Sequence, residues 1–229
     1  MTLIKQYADI ILFLVLSIIF FTLPQIDLWV AGLFYEPGAG FIYSDNVIVH
    51  GIYLLFAKIQ IPIVILILLG IGASYIKKYH KQHWRKPAVF MFVVLLLGPG
   101  LLVNEVFKNH WDRARPKQIE RFGDTKEFSP AYVISDQCER NCSFVSRHGA
   151  IAFYFMILAW PLRKRRWLAL GIAVGAIVGG GRIIQGGHFF SDVVLAGYSV
   201  YFVARLFSYL ILGHSTIKPV ENTIKTSEV

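Results

Sequence analysis

The chain has 229 residues, of which 55% are hydrophobic and only 16% charged, and its formal net charge is +9. A soluble domain carries about 25% charged residues, and a nucleic-acid binder of this basicity spreads its Lys and Arg over a polar surface; here the basic residues stand between long apolar runs. Those two classes are excluded, as is disorder by the 15% aromatic content, which leaves a small all-α, polytopic membrane protein.

A membrane-crossing helix needs about 20 mainly apolar residues. Six runs are expected to cross, at residues 10–23, 47–76, 87–107, 143–162, 167–184 and 189–212. The first is no signal peptide, because Pro24 and Gln25 stand where small cleavage-site residues belong. The second is apolar mainly after Pro62, and the fourth and fifth have short apolar cores. The organisation read from this is one six-helix domain over residues 1–212 and a polar cytoplasmic tail over 213–229. No internal repeat points to a transporter built from paired halves.

Orientation follows from the short loops, since cytoplasmic loops retain Lys and Arg. Lys77, Lys78, Lys81, Arg85 and Lys86 lie between the second and third runs, and Arg163, Lys164, Arg165 and Arg166 between the fourth and fifth. The first loop holds Asp27, Glu36 and Asp45 with no Lys or Arg. Both termini are therefore expected in the cytoplasm, with residues 25–46, 108–147 and 182–189 outside. Residues 108–147 carry eight Lys/Arg and six Asp/Glu, and read alone they are a solvated loop whose charges nearly cancel.

Three clusters fall at the outer ends of these runs. The first spans Lys108 to Pro116, in which Lys108 ends a helix and Pro116 forces Arg115 into an extended or turn conformation. An ammonium and a planar guanidinium suit a phosphate, although basic residues also snorkel at helix ends. The second is Ser143-Phe-Val-Ser146-Arg147-His148-Gly149, opening a helix whose free N–H groups face outward; Ser146 adds a hydroxyl or serves as a cap. The third holds Arg182, His188, Ser191 and Asp192. His188 and Asp192 are four apart, so the carboxylate can orient the imidazole, and an Asp inside a membrane helix is costly unless partnered. Glu105, near the outer end of the third run, can pair with a site cation or form a structural ion pair.

Together Lys108, Arg115 and Arg182 supply cations, Ser146 a donor, and His148 and His188 proton and covalent chemistry, an inventory for phosphoryl transfer. No carboxylate or cysteine cluster stands at metal-ligand spacing, so no cofactor is expected and a phosphohistidine route fits best; nothing completes a zinc shell around the two histidines.

The three clusters resemble the signatures of the type 2 phosphatidic acid phosphatase family, K-x6-R-P, P-S-G-H and S-R-x5-H-x3-D. Here they read Lys108-x6-Arg115-Pro116, Val145-Ser146-Arg147-His148 and Gly181-Arg182-x5-His188-x3-Asp192. The resemblance covers the chain in helix number and order. It implies that His188 is the nucleophile, Asp192 its orienter and His148 the acid for the leaving alkoxide, with Lys108, Arg115, Ser146 and Arg182 on the phosphate. Val145 and Gly181 are mild departures. Arg147 stands where the family has Gly, adding bulk and charge beside the phosphate. It admits three accounts: a guanidinium for an extra lipid phosphate, a blocked pocket in an altered protein, or a non-catalytic lipid binder.

The stretch from Cys138 to Ser146 looks like the bacterial branch that dephosphorylates lipid A at its 1- or 4'-phosphate. That implies a multi-pass protein of the bacterial inner membrane with a periplasmic site and a phospholipid or glycolipid substrate. Phosphatidylglycerophosphate and undecaprenyl pyrophosphate are the alternative substrates. Cys138 and Cys142 lie on the oxidising side of this topology, where a disulfide closing the short loop is expected and two free thiols are the alternative. The oligomeric state is left open.

Overall fold

A computed structural model describes residues 2–76 and 82–217. Lys77, Lys78 and Lys81, on which part of the orientation reading rests, lie outside the described residues, as does most of the polar tail. The fold is helical, with one two-stranded addition. Helix α1 (Thr2–Thr22) stops at Leu23 and Pro24, and α2 (Gln25–Gly32) leaves it at 85°. The bend falls where Pro24 has no N–H to continue the helical ladder. A hairpin of β1 (Tyr35–Glu36) and β2 (Gly40–Phe41), not expected from an all-α reading, follows and packs Phe41 against Phe122.

Asn46 starts α3 (Val47–Lys58) by accepting from the backbone N–H groups of Ile48 at 3.0 Å and Val49 at 3.3 Å. Helix α4 (Gln60–Ala73) continues it. Helix α5 (Gln82–Leu95) runs into a π-helical stretch, Leu96–Phe107, that contains Pro99. Proline removes a donor from the ordinary ladder, and a wider turn is one way to absorb that loss. The widening persists to the end of the element, where the N–H of Lys108 bonds to the carbonyl of Val103.

The centre of the molecule is α6 (Arg147–Phe153), which passes through a 3-10 stretch, Tyr154–Leu158, into α7 (Ala159–Leu162). Ala150, Ile151, Ala152, Met156, Ile157, Ala159 and Trp160 on this run are all buried. Helix α8 (Arg165–Ile184) packs against it through glycines one turn apart. A Cβ added to Gly171 would lie 2.1 Å from the backbone N of Met156, and one on Gly175 2.1 Å from the Phe153 ring. Helix α9 (Phe190–Phe207) ends in a second π stretch, Ser208–Leu212. Its Tyr201 and Arg205 both hold Asp9 of α1.

Among the described residues, Val47–Ala73, Trp84–Phe107, Arg165–Ile184 and Phe190–Leu212 are long and apolar enough to cross a membrane. The bent pair formed by α1 and α2 makes a fifth if it is counted as one crossing. The expected span at 143–162 is not among them. Its helical part begins only at Arg147 and is enclosed by protein, whereas Ile61, Leu66 and Leu69 of α4 are exposed, as side chains bathed in lipid would be.

Candidate active site

The three sequence clusters meet where the π stretch ends, α6 begins, α8 ends and α9 begins. Lys108 is buried, and its ammonium donates to Asn141 Oδ1 at 2.9 Å and to the Cys142 carbonyl at 2.9 Å. Burial first, then the positive charges of Arg115 and Arg147, push this lysine down to about 7. Arg115 donates through Nη2 to the Asn141 carbonyl at 2.7 Å. One short loop therefore holds both cations, and that loop is closed by a disulfide between Cys138 and Cys142, whose Cα atoms are 5.6 Å apart.

Ser146 caps α6, its Oγ accepting from the N–H of Gly149 at 3.2 Å. The cap uses only the oxygen, so the hydroxyl proton remains for an anion. Its backbone N–H donates to the carbonyl of Asp192 at 3.1 Å, which ties the start of α6 to α9. His148 is buried with its ring 4.7 Å from that of Tyr53, and the guanidinium of Arg182 lies 4.7 Å over the same Tyr53 ring. Arg182 also binds the Gln185 side chain. Gly187 makes room for it, since a Cβ there would lie 2.4 Å from Arg182 Nη2. His148 Nε2 and Arg182 Nε are buried without a hydrogen-bond partner among the described residues. Buried polar groups are rarely left so, and a phosphate oxygen is a partner for both.

His188 lies in the turn before α9 and is almost fully buried. Its Nδ1 bonds to the carbonyl of Ser143 at 2.7 Å, whereas the Asp192 carboxylate is 3.8 Å away. The expected direct bond from carboxylate to imidazole is thus replaced by a backbone acceptor. A carbonyl can only accept, so Nδ1 carries the proton and Nε2 is the unprotonated nitrogen. Burial is the main cause that depresses this imidazole, to about 3; Lys108 and Arg182 act in the same direction, and Asp192 opposes them. The ring is neutral at physiological pH.

Asp192 acts through other groups. It accepts from Ser143 Oγ at 2.5 Å, from the Phe189 N–H at 2.8 Å and from Arg113 Nη1 at 2.6 Å. Arg113 is not singled out in the sequence, and Asp27, which binds it, enters there only as a charge of the first loop; their separation along the chain hides the pairing. Asn141, which holds both Lys108 and Arg115, was missed for a related reason, since its contacts are partly backbone. Glu105 accepts from Asn104 and Asn109, at 2.9 and 3.1 Å, rather than from a cation.

Arg147 lies apart from these bonds. It lines a groove of about 550 Å³ between α4 and the α5–π element, where Ile61, Val64, Phe92 and Leu96 are apolar walls and Gln60 and Asn104 are further polar members. Among the described residues no His, Cys, Asp and Glu side chains group in threes that could hold a metal ion.

Comparison with known proteins gives the chain its relatives. The chain is 39% identical over 191 residues to a lipid A 4'-phosphatase of Francisella tularensis subsp. novicida (strain U112), covering 80% of this chain and 85% of that one. It is 40% identical over 117 residues to a lipid A 4'-phosphatase of Rhizobium leguminosarum, covering 49% of this chain and 50% of that one. A protein of the same name from Rhizobium etli is 38% identical over 117 residues, covering 49% and 46%. No solved structure matches significantly. Residues 87–214, which contain all three clusters, match the model of the PAP2 superfamily, and the chain belongs to that superfamily.

Proposed function

We propose that the protein is a membrane lipid phosphatase that removes the 4'-phosphate of lipid A at the periplasmic face of a bacterial inner membrane. The observation that carries this reading is His188, tethered at Nδ1 with Nε2 free, inside a ring of cations whose Arg182 Nε and His148 Nε2 have no protein partner. The relatives' names supply the lipid. In the reaction, His188 Nε2 attacks phosphorus and the bond from phosphorus to the sugar oxygen breaks. His148 protonates the departing alkoxide. Water, deprotonated by His148, then cleaves the phosphohistidine. Lys108, Arg115, Ser146 and Arg182 hold the phosphoryl oxygens, and charge is stabilised by protein groups without a metal.

Six crossings with both termini in the cytoplasm put all three clusters outside. In that arrangement residues 147–162 form an inner helix shielded from lipid, which reconciles their burial with a crossing. The apolar groove beside the site accounts for a substrate that stays in the bilayer. Arg147 lines that groove and, among the described residues, makes no hydrogen bond to the proposed phosphate cluster, which favours a guanidinium for a second acidic group on the lipid over a blocked pocket.

The test is phosphate release from lipid A in detergent micelles containing EDTA, with mass spectrometry to identify the phosphate removed. Wild type is expected to act with chelator present, and His188→Ala to lose at least about 10⁴-fold in kcat because the covalent route is gone. Activity that requires added metal, or survives in His188→Ala, refutes the mechanism. Preference for phosphatidylglycerophosphate or undecaprenyl pyrophosphate in the same assay refutes the substrate. If activity appears only in Arg147→Gly, the natural chain is a lipid binder.

A further inference from the structure

Arg113 is completely buried and joins two carboxylates. Its Nη1 donates to Asp192 Oδ1 at 2.6 Å and to Ser191 Oγ at 3.0 Å, its Nη2 to Asp27 Oδ2 at 2.8 Å, and its Nε to the Ser129 carbonyl at 2.8 Å. The guanidinium lies 4.2 Å from the centre of the Phe189 ring. Asp27 completes the link by accepting from the Ser191 N–H at 2.8 Å and the Ser191 hydroxyl at 2.5 Å. Helix α2, turned 85° from α1, is thereby fastened to the first turn of α9 directly behind the active-site histidine. Burying three charges is costly, and breaking such a group is costlier than replacing it with neutral residues.

We propose that Arg113 and Asp27 are positioning residues for the phosphatase reaction: Arg113 fixes and neutralises Asp192, which in turn holds the Ser143 segment whose carbonyl orients His188, and Asp27 fixes Arg113. The proposal rests on His188 being the nucleophile. The charged and titratable groups around that ring are Asp192 of α9, Lys108 at the end of the π stretch, Arg182 of α8 and His148 of α6, with Arg113 behind Asp192. Arg113 offsets the negative charge nearest to Nδ1. Without it, an uncompensated carboxylate 3.8 Å from the ring favours the imidazolium, which cannot attack phosphorus.

The experiment compares the pH dependence of kcat on lipid A in detergent micelles for wild type, Arg113→Gln, Arg113→Lys, Asp27→Asn and the double variant Asp27→Asn/Arg113→Gln. The substrate's own titration is common to all five. In Arg113→Gln the acidic limb is expected to move up by about 1–2 pH units, the size of effect an unbalanced neighbouring charge produces. Arg113→Lys keeps the charge but not the fork, so it should lose rate with its limb in place. Asp27→Asn should lose rate with its limb unmoved or lower, because the remaining guanidinium still faces Asp192. The double variant substitutes a neutral pair and should move as Arg113→Gln does, which covers the case in which the single variant does not accumulate in membranes. Loss of rate with the limb unmoved in Arg113→Gln or the double variant overturns the proposal. So does an upward shift of equal size in Asp27→Asn. A wild type that does not need His188 would instead defeat the function on which the proposal rests.

Discussion

Lys108 ties the pH dependence of the enzyme to a single buried ammonium. In the proposed function the charged form binds phosphate, and in the free protein this lysine is pushed down to about 7, first by burial and then by Arg115 and Arg147. As pH rises through that value the free enzyme loses the ammonium, while a bound phosphate retains it. The effect therefore appears in KM and not in kcat. With a midpoint near 7, the protonated fraction falls from about nine-tenths at pH 6 to about one-tenth at pH 8, so KM should rise about tenfold over that interval. Initial rates on lipid A micelles across this range measure it. Lys108→Arg is the control, because a guanidinium cannot be deprotonated in a protein; its KM should be higher throughout but should lack the rise, and the substrate's own titration cancels between the two enzymes. Arg147→Gly removes one of the depressing charges and should displace the rise to higher pH. A wild-type KM that is flat from pH 6 to 8, or a rise of the same size in Lys108→Arg, refutes the reasoning.

Gly171→Ala should destabilise the protein by about 1–3 kcal/mol or more, because the new methyl meets the Met156 backbone at 2.1–2.3 Å and overpacking against backbone has no side-chain relief. Gly180→Ala on the same helix meets nothing within 4 Å and should be neutral or mildly stabilising; thermal unfolding in detergent separates the two, and equal losses would mean that the contact of α8 with the 3-10 stretch is not close. Opening the disulfide with Cys138→Ser/Cys142→Ser frees the loop in which Asn141 and Cys142 supply the acceptors of Lys108 and Arg115. KM should rise roughly three- to tenfold, the value of about one hydrogen bond, with kcat little changed. A fall in kcat at constant KM would place the loop's role elsewhere.

What the sequence revealed and what it hid follow from how far each contact reaches along the chain. That the three clusters would meet was legible because their residues stand at helix ends, and alternating crossings bring such ends to one face without any knowledge of packing. The pairing of Asp27 with Arg113 spans 86 positions, and no local periodicity records it. The acceptor at His188 Nδ1 is the carbonyl of Ser143, a group every residue possesses, so the letters pointed instead to the nearest acid, Asp192. Hydropathy misled at residues 143–162 for a different reason. It reports that side chains avoid water and is silent on whether lipid or protein receives them. Most apolar side chains of α4, Ile61, Leu66 and Leu69 among them, face outward, while those from Ala150 to Trp160 are mostly covered by neighbouring helices. That difference also explains the place of Arg147. A helix surrounded by protein has room for a long cation only where a neighbour withdraws, and the groove between α4 and the π stretch is such a place. The residue that looks like an obstruction in the motif is therefore set between the cluster of cations and the apolar groove, the place where the proposed function needs a charged headgroup to join its acyl chains.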